Sequence, residues 1–146
     1  MIRPLLMSAL IGLALTPAAT QAEQLSRATQ YLLGREAEKG CLDGGTFTSG
    51  YAETDLTGDG IRDLIVSHEG LACQGARGRS LLCGHRDCII LFFVGLENGL
   101  LVQVNQVFGR DMMVLTSDRP TVSLISRTGA RQRLHWHGTA FKETAQ

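Results

Sequence analysis

The chain has 146 residues, which after removal of a leader is one domain with a modest core. Its 14 basic and 14 acidic residues cancel, so no basic excess points to nucleic acid. The balance is uneven along the chain. Residues 36–69 hold eight acids and two bases, while residues 70–146 hold nine bases and five acids. An acidic pocket that attracts a cation, followed by a mildly basic sheet, has this pattern.

Residues 1–22 read as a secretory signal peptide. Arg3 is the positive start, Leu5 to Leu15 is the apolar run, and Thr20-Gln21-Ala22 offers small residues before cleavage at Glu23. The run is too short for a membrane span, and no cysteine follows the cleavage point to carry a lipid anchor. The expected product is a single periplasmic or secreted domain, residues 23–146, with no membrane span.

Residues 24–39 are expected to be helical. Leu25, Ala28 and Leu32 form an apolar stripe, Glu36, Glu38 and Lys39 face water, and Gly40 stops the helix. Residues 46–53 read as a strand with Phe47 and Tyr51 on one face, and a second strand covers about 63–68. Residues 69–87 read as a long loop tied down by cysteines. Cys88 to Val94 is continuously apolar and suits a central strand. Asn98-Gly99 predicts a type I′ hairpin. The returning strand, 100–108, is expected to turn Val102 and Val104 inward and Gln103 and Asn105 outward. Further strands are expected at 111–117, 121–126 and 130–137, with a short closing strand near Ala140-Phe141. The fold class is α+β, mostly β: an N-terminal helix packed on an antiparallel meander.

Cys41, Cys73, Cys83 and Cys88 all lie after the cleavage point. In an oxidising compartment two disulfides are the default. Four cysteines allow three pairings; Cys83–Cys88 with Cys41–Cys73 is preferred. Zinc on Cys73, Cys83, His85 and Cys88 is the alternative, but Cys-x4-Cys is not the common knuckle spacing.

Asp55-Leu56-Thr57-Gly58-Asp59-Gly60-Ile61-Arg62-Asp63 carries the clearest chemistry. Oxygen-bearing side chains stand at loop positions 1, 3, 5 and 9, and glycine at position 6 permits a sharp turn. Calcium takes six to eight oxygen ligands at flexible distances, and a short loop with this spacing can supply several of them. Asp55, Thr57, Asp59 and Asp63 would donate side-chain oxygens and Ile61 its backbone carbonyl. The loop resembles the Asp-x-Asn-Gly-Asp-Gly-x-x-Asp element of FG-GAP repeats in integrin-type propellers, and more loosely the EF-hand and dockerin loops. It departs from FG-GAP at Thr57 and from the EF-hand at Val66, where a bidentate glutamate is absent. The resemblance covers one copy of about a dozen residues, so it implies a Ca2+ site and not a propeller. More faintly, the chain resembles small exported proteins of Gram-negative bacteria with an Asp/Gly loop ahead of a Cys…Cys-Gly…Cys segment, which implies a periplasmic home.

Arg131, Arg133, His135 and His137 alternate along one expected strand, with Leu134 and Trp136 on the other face. Two arginines beside the histidines oppose a cation there. The face reads as solvated, or as a surface for an anionic ligand or an acidic protein partner. No nucleophile motif or phosphate loop appears. The expected function is an exported calcium-binding, non-catalytic binding or accessory protein. The alternative is a secreted or periplasmic hydrolase-like enzyme with calcium supporting its active site.

Overall fold

The computed structural model describes residues 24–118 and 120–143. The expected signal peptide lies outside the described residues. Ser26 opens the helix α1 (Arg27–Gly40): its side chain accepts the Thr29 amide at 3.1 Å and satisfies one free donor of the first turn. The Ser26 amide donates to the Glu53 carboxylate at 2.9 Å, which sets a negative charge at the positive end of the helix dipole. Burial pushes the Glu53 carboxyl up, but the hydrogen bonds from Ser26 outweigh it and hold the group below its ordinary range.

The helix turns toward the sheet with its predicted stripe at the edge of the buried face: Leu25, Ala28 and Leu32 are half-buried. Thr29, Glu36, Ala37 and Gly40 are buried, while Leu32 and Leu33 are partly buried against the core. Glu36, expected in water, is 2% exposed. Gly40 does end the helix, yet its reason is space: a Cβ there would collide with Leu71, Ser80 and His68.

Nine strands follow among the described residues: β1 (Gly45–Phe47), β2 (Tyr51–Thr54), β3 (Asp63–Ser67), β4 (Leu71–Cys73), β5 (Cys88–Gly95), β6 (Leu101–Leu115), β7 (Thr121–Ser126), β8 (Arg131–Trp136) and β9 (Phe141–Glu143). The strand expected at 46–53 is two strands in two sheets. Gly50, at φ +74°, breaks it, so β1 pairs with β4 and β2 with β3. Part of the expected loop 69–87 is therefore strand. The strands expected at 100–108 and 111–117 are one long β6, bent by a bulge between Arg110 and Met113 with Asp111 at φ +50°.

Seven strands form one antiparallel sheet in the order β2-β3-β5-β6-β7-β8-β9. On one face Leu32, Leu33 and Ala37 of the helix pack over Leu64, Val66, Leu91 and Phe93. On the other face the sheet curls. Phe92 of β5 and Phe141 of β9 stack at 4.8 Å, although three strands lie between them in the sheet. Trp136 leans on Phe141 at 5.2 Å. Asn105 fastens the curl: its amide group donates to the Phe141 carbonyl and accepts the Phe141 amide, both at 3.1 Å.

A second bulge explains why Asn105 faces in. The register shifts between Phe92 and Phe93, so Phe92 opposes Asn105 while Phe93 opposes Gln103. One residue of β6, Val104, is left over. Past it the strand presents opposite faces. Val104 still packs against the core, as expected, but Val102 is exposed and Asn105 points inward.

Candidate functional site

The loop ahead of β3 is wound around its own carboxylates. Asp55 Oδ1 accepts the Gly58 amide at 2.6 Å and Oδ2 the Gly60 amide at 2.8 Å. Gly58 and Gly60 take φ of +85° and +86°, which glycine adopts without strain. Asp59 Oδ1 accepts the Ile61 amide at 2.8 Å. Burial pushes Asp55 upward, but the Gly60 and Gly58 amides outweigh it and keep the carboxyl below its ordinary range.

Asp63 turns inward. It is fully buried; Oδ2 accepts the amides of Leu56 at 2.7 Å and Thr57 at 2.9 Å, and Oδ1 accepts the Gly95 amide at 2.9 Å. Burial outweighs these bonds and raises its pKa. The five expected ligands therefore fall into two sets. Asp55, Thr57, Asp59 and Ile61 are exposed or half-buried, and Asp63 lies beneath them. Carboxylate, hydroxyl and carbonyl oxygens suit a hard cation, and each accepting oxygen keeps lone-pair capacity for one. Among the described residues no three His, Cys, Asp or Glu side chains converge into a metal cluster.

A buried polar array lies on the helix side. His68 Nε2 is 3.3 Å from Glu36 Oε2 and Nδ1 is 2.9 Å from Ser80 Oγ. Nε2 donates to the carboxylate, which can only accept, and Nδ1 shares a hydrogen bond with the Ser80 hydroxyl. Ser80 Oγ in turn accepts the Leu82 amide at 3.1 Å, and Lys39 Nζ meets Glu36 Oε1 at 2.5 Å. Burial pushes Glu36 upward, yet the hydrogen bonds from His68 and Lys39 prevail and lower its pKa. The serine–histidine–carboxylate order is that of a nucleophile relay. Here all three side chains are closed to solvent, Ser80 being 2% exposed. The array joins helix, 3-10 turn and loop, three segments far apart in sequence. No local spacing announces it; only the burial of Glu36 on the helix face does.

Both preferred disulfides form: Cys41 with Cys73, and Cys83 with Cys88. All four sulfurs are thereby taken from zinc. The clefts beside the Cys41–Cys73 bridge and beside the 55–63 loop hold about 190 and 170 Å³, and a cleft between α1 and β1, lined by Leu33, Gly34, Ala37 and Phe47, holds about 300 Å³, the size at which small-molecule pockets begin.

On β8 the expected alternation holds from Arg131 to Leu134: Arg131 and Arg133 are exposed and Leu134 is buried, whereas His135, expected exposed, and Trp136, expected buried, are both half-buried. His135 Nδ1 lies 3.2 Å from Thr121 Oγ1, and Arg131 donates to Ser123 Oγ at 3.2 Å. His137 stands just past the strand, exposed in a turn closed by its amide on the Ala140 carbonyl. This face continues the one that α1 covers at β3 and β5. From β6 to β9 it is open among the described residues. No helix of the described residues is long and apolar enough to cross a membrane. No family model matches the chain, and neither a curated protein nor a solved structure is similar to it.

Proposed function

We propose that this is an exported, calcium-stabilised binding module without catalytic chemistry, whose open sheet face holds an anionic partner. The observation that carries the reading is the pair of exposed arginines, Arg131 and Arg133, beside His135 on the part of the sheet face that lies beyond α1. The two disulfides agree with an oxidising compartment. Calcium sits on Asp55, Thr57, Asp59 and the Ile61 carbonyl, with Asp63 bracing the loop from below. With few strong carboxylates, affinity is on the order of 10⁻⁴–10⁻³ M, as in extracellular modules.

Two measurements test this. Calorimetric melts should rise with calcium by roughly 2.7 kcal/mol of stability at a hundredfold excess over Kd. Asp59→Ala should remove most of that rise; an unchanged wild-type midpoint at several millimolar calcium would reduce the loop to an acidic turn. Wild-type protein should also bind soluble poly-glutamate at low salt, and Arg131→Glu with Arg133→Glu should not.

The Ser80–His68–Glu36 order favours a second reading, an exported hydrolase. It requires Ser80 to be labelled by a serine-directed phosphonylating reagent in the native protein, and its burial argues against that result.

A further inference from the structure

Strand pairing arranges the open face into rows. Leu115, Thr121, His135 and Lys142 lie across one row, Met113, Ser123 and Arg133 across the next, and Arg110, Ile125 and Arg131 across a third. The middle strand β7 contributes short hydroxyls. Its neighbours contribute long side chains: methionine and leucine from β6, arginines and histidine from β8. Thr121 and Ser123 are buried between those longer side chains.

The result is a surface with two kinds of side chain at one height. Met113 is 49% exposed, Leu115 38% and Phe108 39%. Beside them stand exposed Arg131, Arg133 and Lys142, with Arg127 seated over the Phe108 ring at 4.0 Å. Among the described residues none of Arg127, Arg131, Arg133 and Lys142 has a carboxylate partner at ion-pair distance. By contrast Arg110, at the margin, is paired with Asp87 at 2.9 Å. Cations left unpaired beside exposed apolar side chains on a broad face are the makeup of an interfacial membrane contact: the cations meet lipid phosphates and the apolar tips enter the headgroup boundary.

We infer that this face docks on a bilayer of anionic phospholipid. The inference rests on the binding-module reading and names the partner of that surface. A membrane fits better than an extended acidic peptide. The nearby edge strand, β9, has only three residues, so a peptide gains almost no ladder to join. The rows reach across as many as four strands, a breadth that a planar partner covers and a single extended chain does not.

The test is co-sedimentation with vesicles. Full-length mature protein is expected to bind vesicles of phosphatidylcholine with phosphatidylglycerol at low salt, and not those of phosphatidylcholine alone. Each basic residue near an anionic bilayer contributes about fivefold in partitioning, so Arg131→Glu with Arg133→Glu should weaken binding by at least about 25-fold. Arg133→Glu with Lys142→Glu, neither of which breaks a hydrogen bond within the fold, is the second variant and should do the same with an unchanged melting midpoint. Met113→Ser with Leu115→Ser should lower binding while keeping its salt dependence. Equal binding to both vesicle types, or phosphatidylglycerol binding unmoved by both charge reversals, overturns the inference. Binding to poly-glutamate without binding to phosphatidylglycerol vesicles overturns it too, and leaves the binding-module reading standing. Binding to neither removes both.

Discussion

The Asp63 carboxylate accepts the Gly95 amide at 2.9 Å across 32 residues. Its other oxygen holds the Leu56 and Thr57 amides, so one buried side chain ties the acidic loop to the end of the central strand. Asp63→Ala leaves these donors without an acceptor and should cost about 3–5 kcal/mol in chemical denaturation. The pH dependence has a definite sign. Because burial raises the Asp63 pKa, the folded state takes up a proton more readily than the unfolded chain. Its charge is a cost above the raised value, and that cost is relieved as pH falls. Asp63→Asn should remove this term. A variant as stable as the wild type would show that the strut is dispensable.

Glu36 has the opposite sign. Its pKa is depressed against the pull of burial by His68 and Lys39. The stability it supplies is fully present above the unfolded value of about 4.3 and is lost as pH falls through the folded value. Glu36→Gln should therefore flatten the acid limb of a pH–stability curve. Ser80→Ala should cost about 1–2 kcal/mol at neutral pH, because it strips the Leu82 amide of its acceptor and His68 Nδ1 of its hydrogen-bond partner. An unaltered acid limb in Glu36→Gln would place the acid sensitivity elsewhere.

The two disulfides should contribute unequally. Cys41–Cys73 spans 32 residues and Cys83–Cys88 spans 5. Loop-closure entropy assigns the first about 3–4 kcal/mol and the second about 2 kcal/mol. Unfolding of the paired serine variants measures this, and the reverse ranking would contradict it. The denatured, unreduced wild type should show no free thiol.

The curl of the sheet should be visible through the single tryptophan. Phe141 stacks on Phe92 and supports Trp136. Phe141→Ala removes a buried ring and should cost about 3–5 kcal/mol. Trp136 would then gain solvent, so its emission should shift to the red. An unshifted spectrum would mean that Trp136 is held by other neighbours.

Period and turn chemistry made much of this fold readable in advance. The apolar run 88–94 is the buried centre of the sheet because both of its faces are packed, and a strand buried on both faces needs no polar alternation. Asn98-Gly99 marks the hairpin but not as the expected type I′ pair: Gly99 alone of the two takes a positive φ, +79°, and the Gly99 amide donates to the Leu96 carbonyl at 2.8 Å, so the loop is the three residues Glu97, Asn98 and Gly99. Alternation on 131–134 reported correctly which face is open. The helix was legible by its apolar stripe and by Gly40 as its stop, and the mostly β, disulfide-braced class followed from the strand-forming runs and the even cysteine count.

Tertiary structure decided the rest, for reasons that act at a distance. Glu36 reads as a surface glutamate in a helical window; only His68 and Lys39 make its burial tolerable, and His68 is 32 residues away. The facing of Val102 and Asn105 depends on one unpaired residue in β6, which no local period encodes, because a single-residue slip inverts a strand. Asp63 has a liganding residue type at a liganding position, but its neighbours are three amides, one of them from the far end of β5. Residue spacing specifies which oxygens the 55–63 loop carries; the packing of the sheet specifies which of them it keeps for itself.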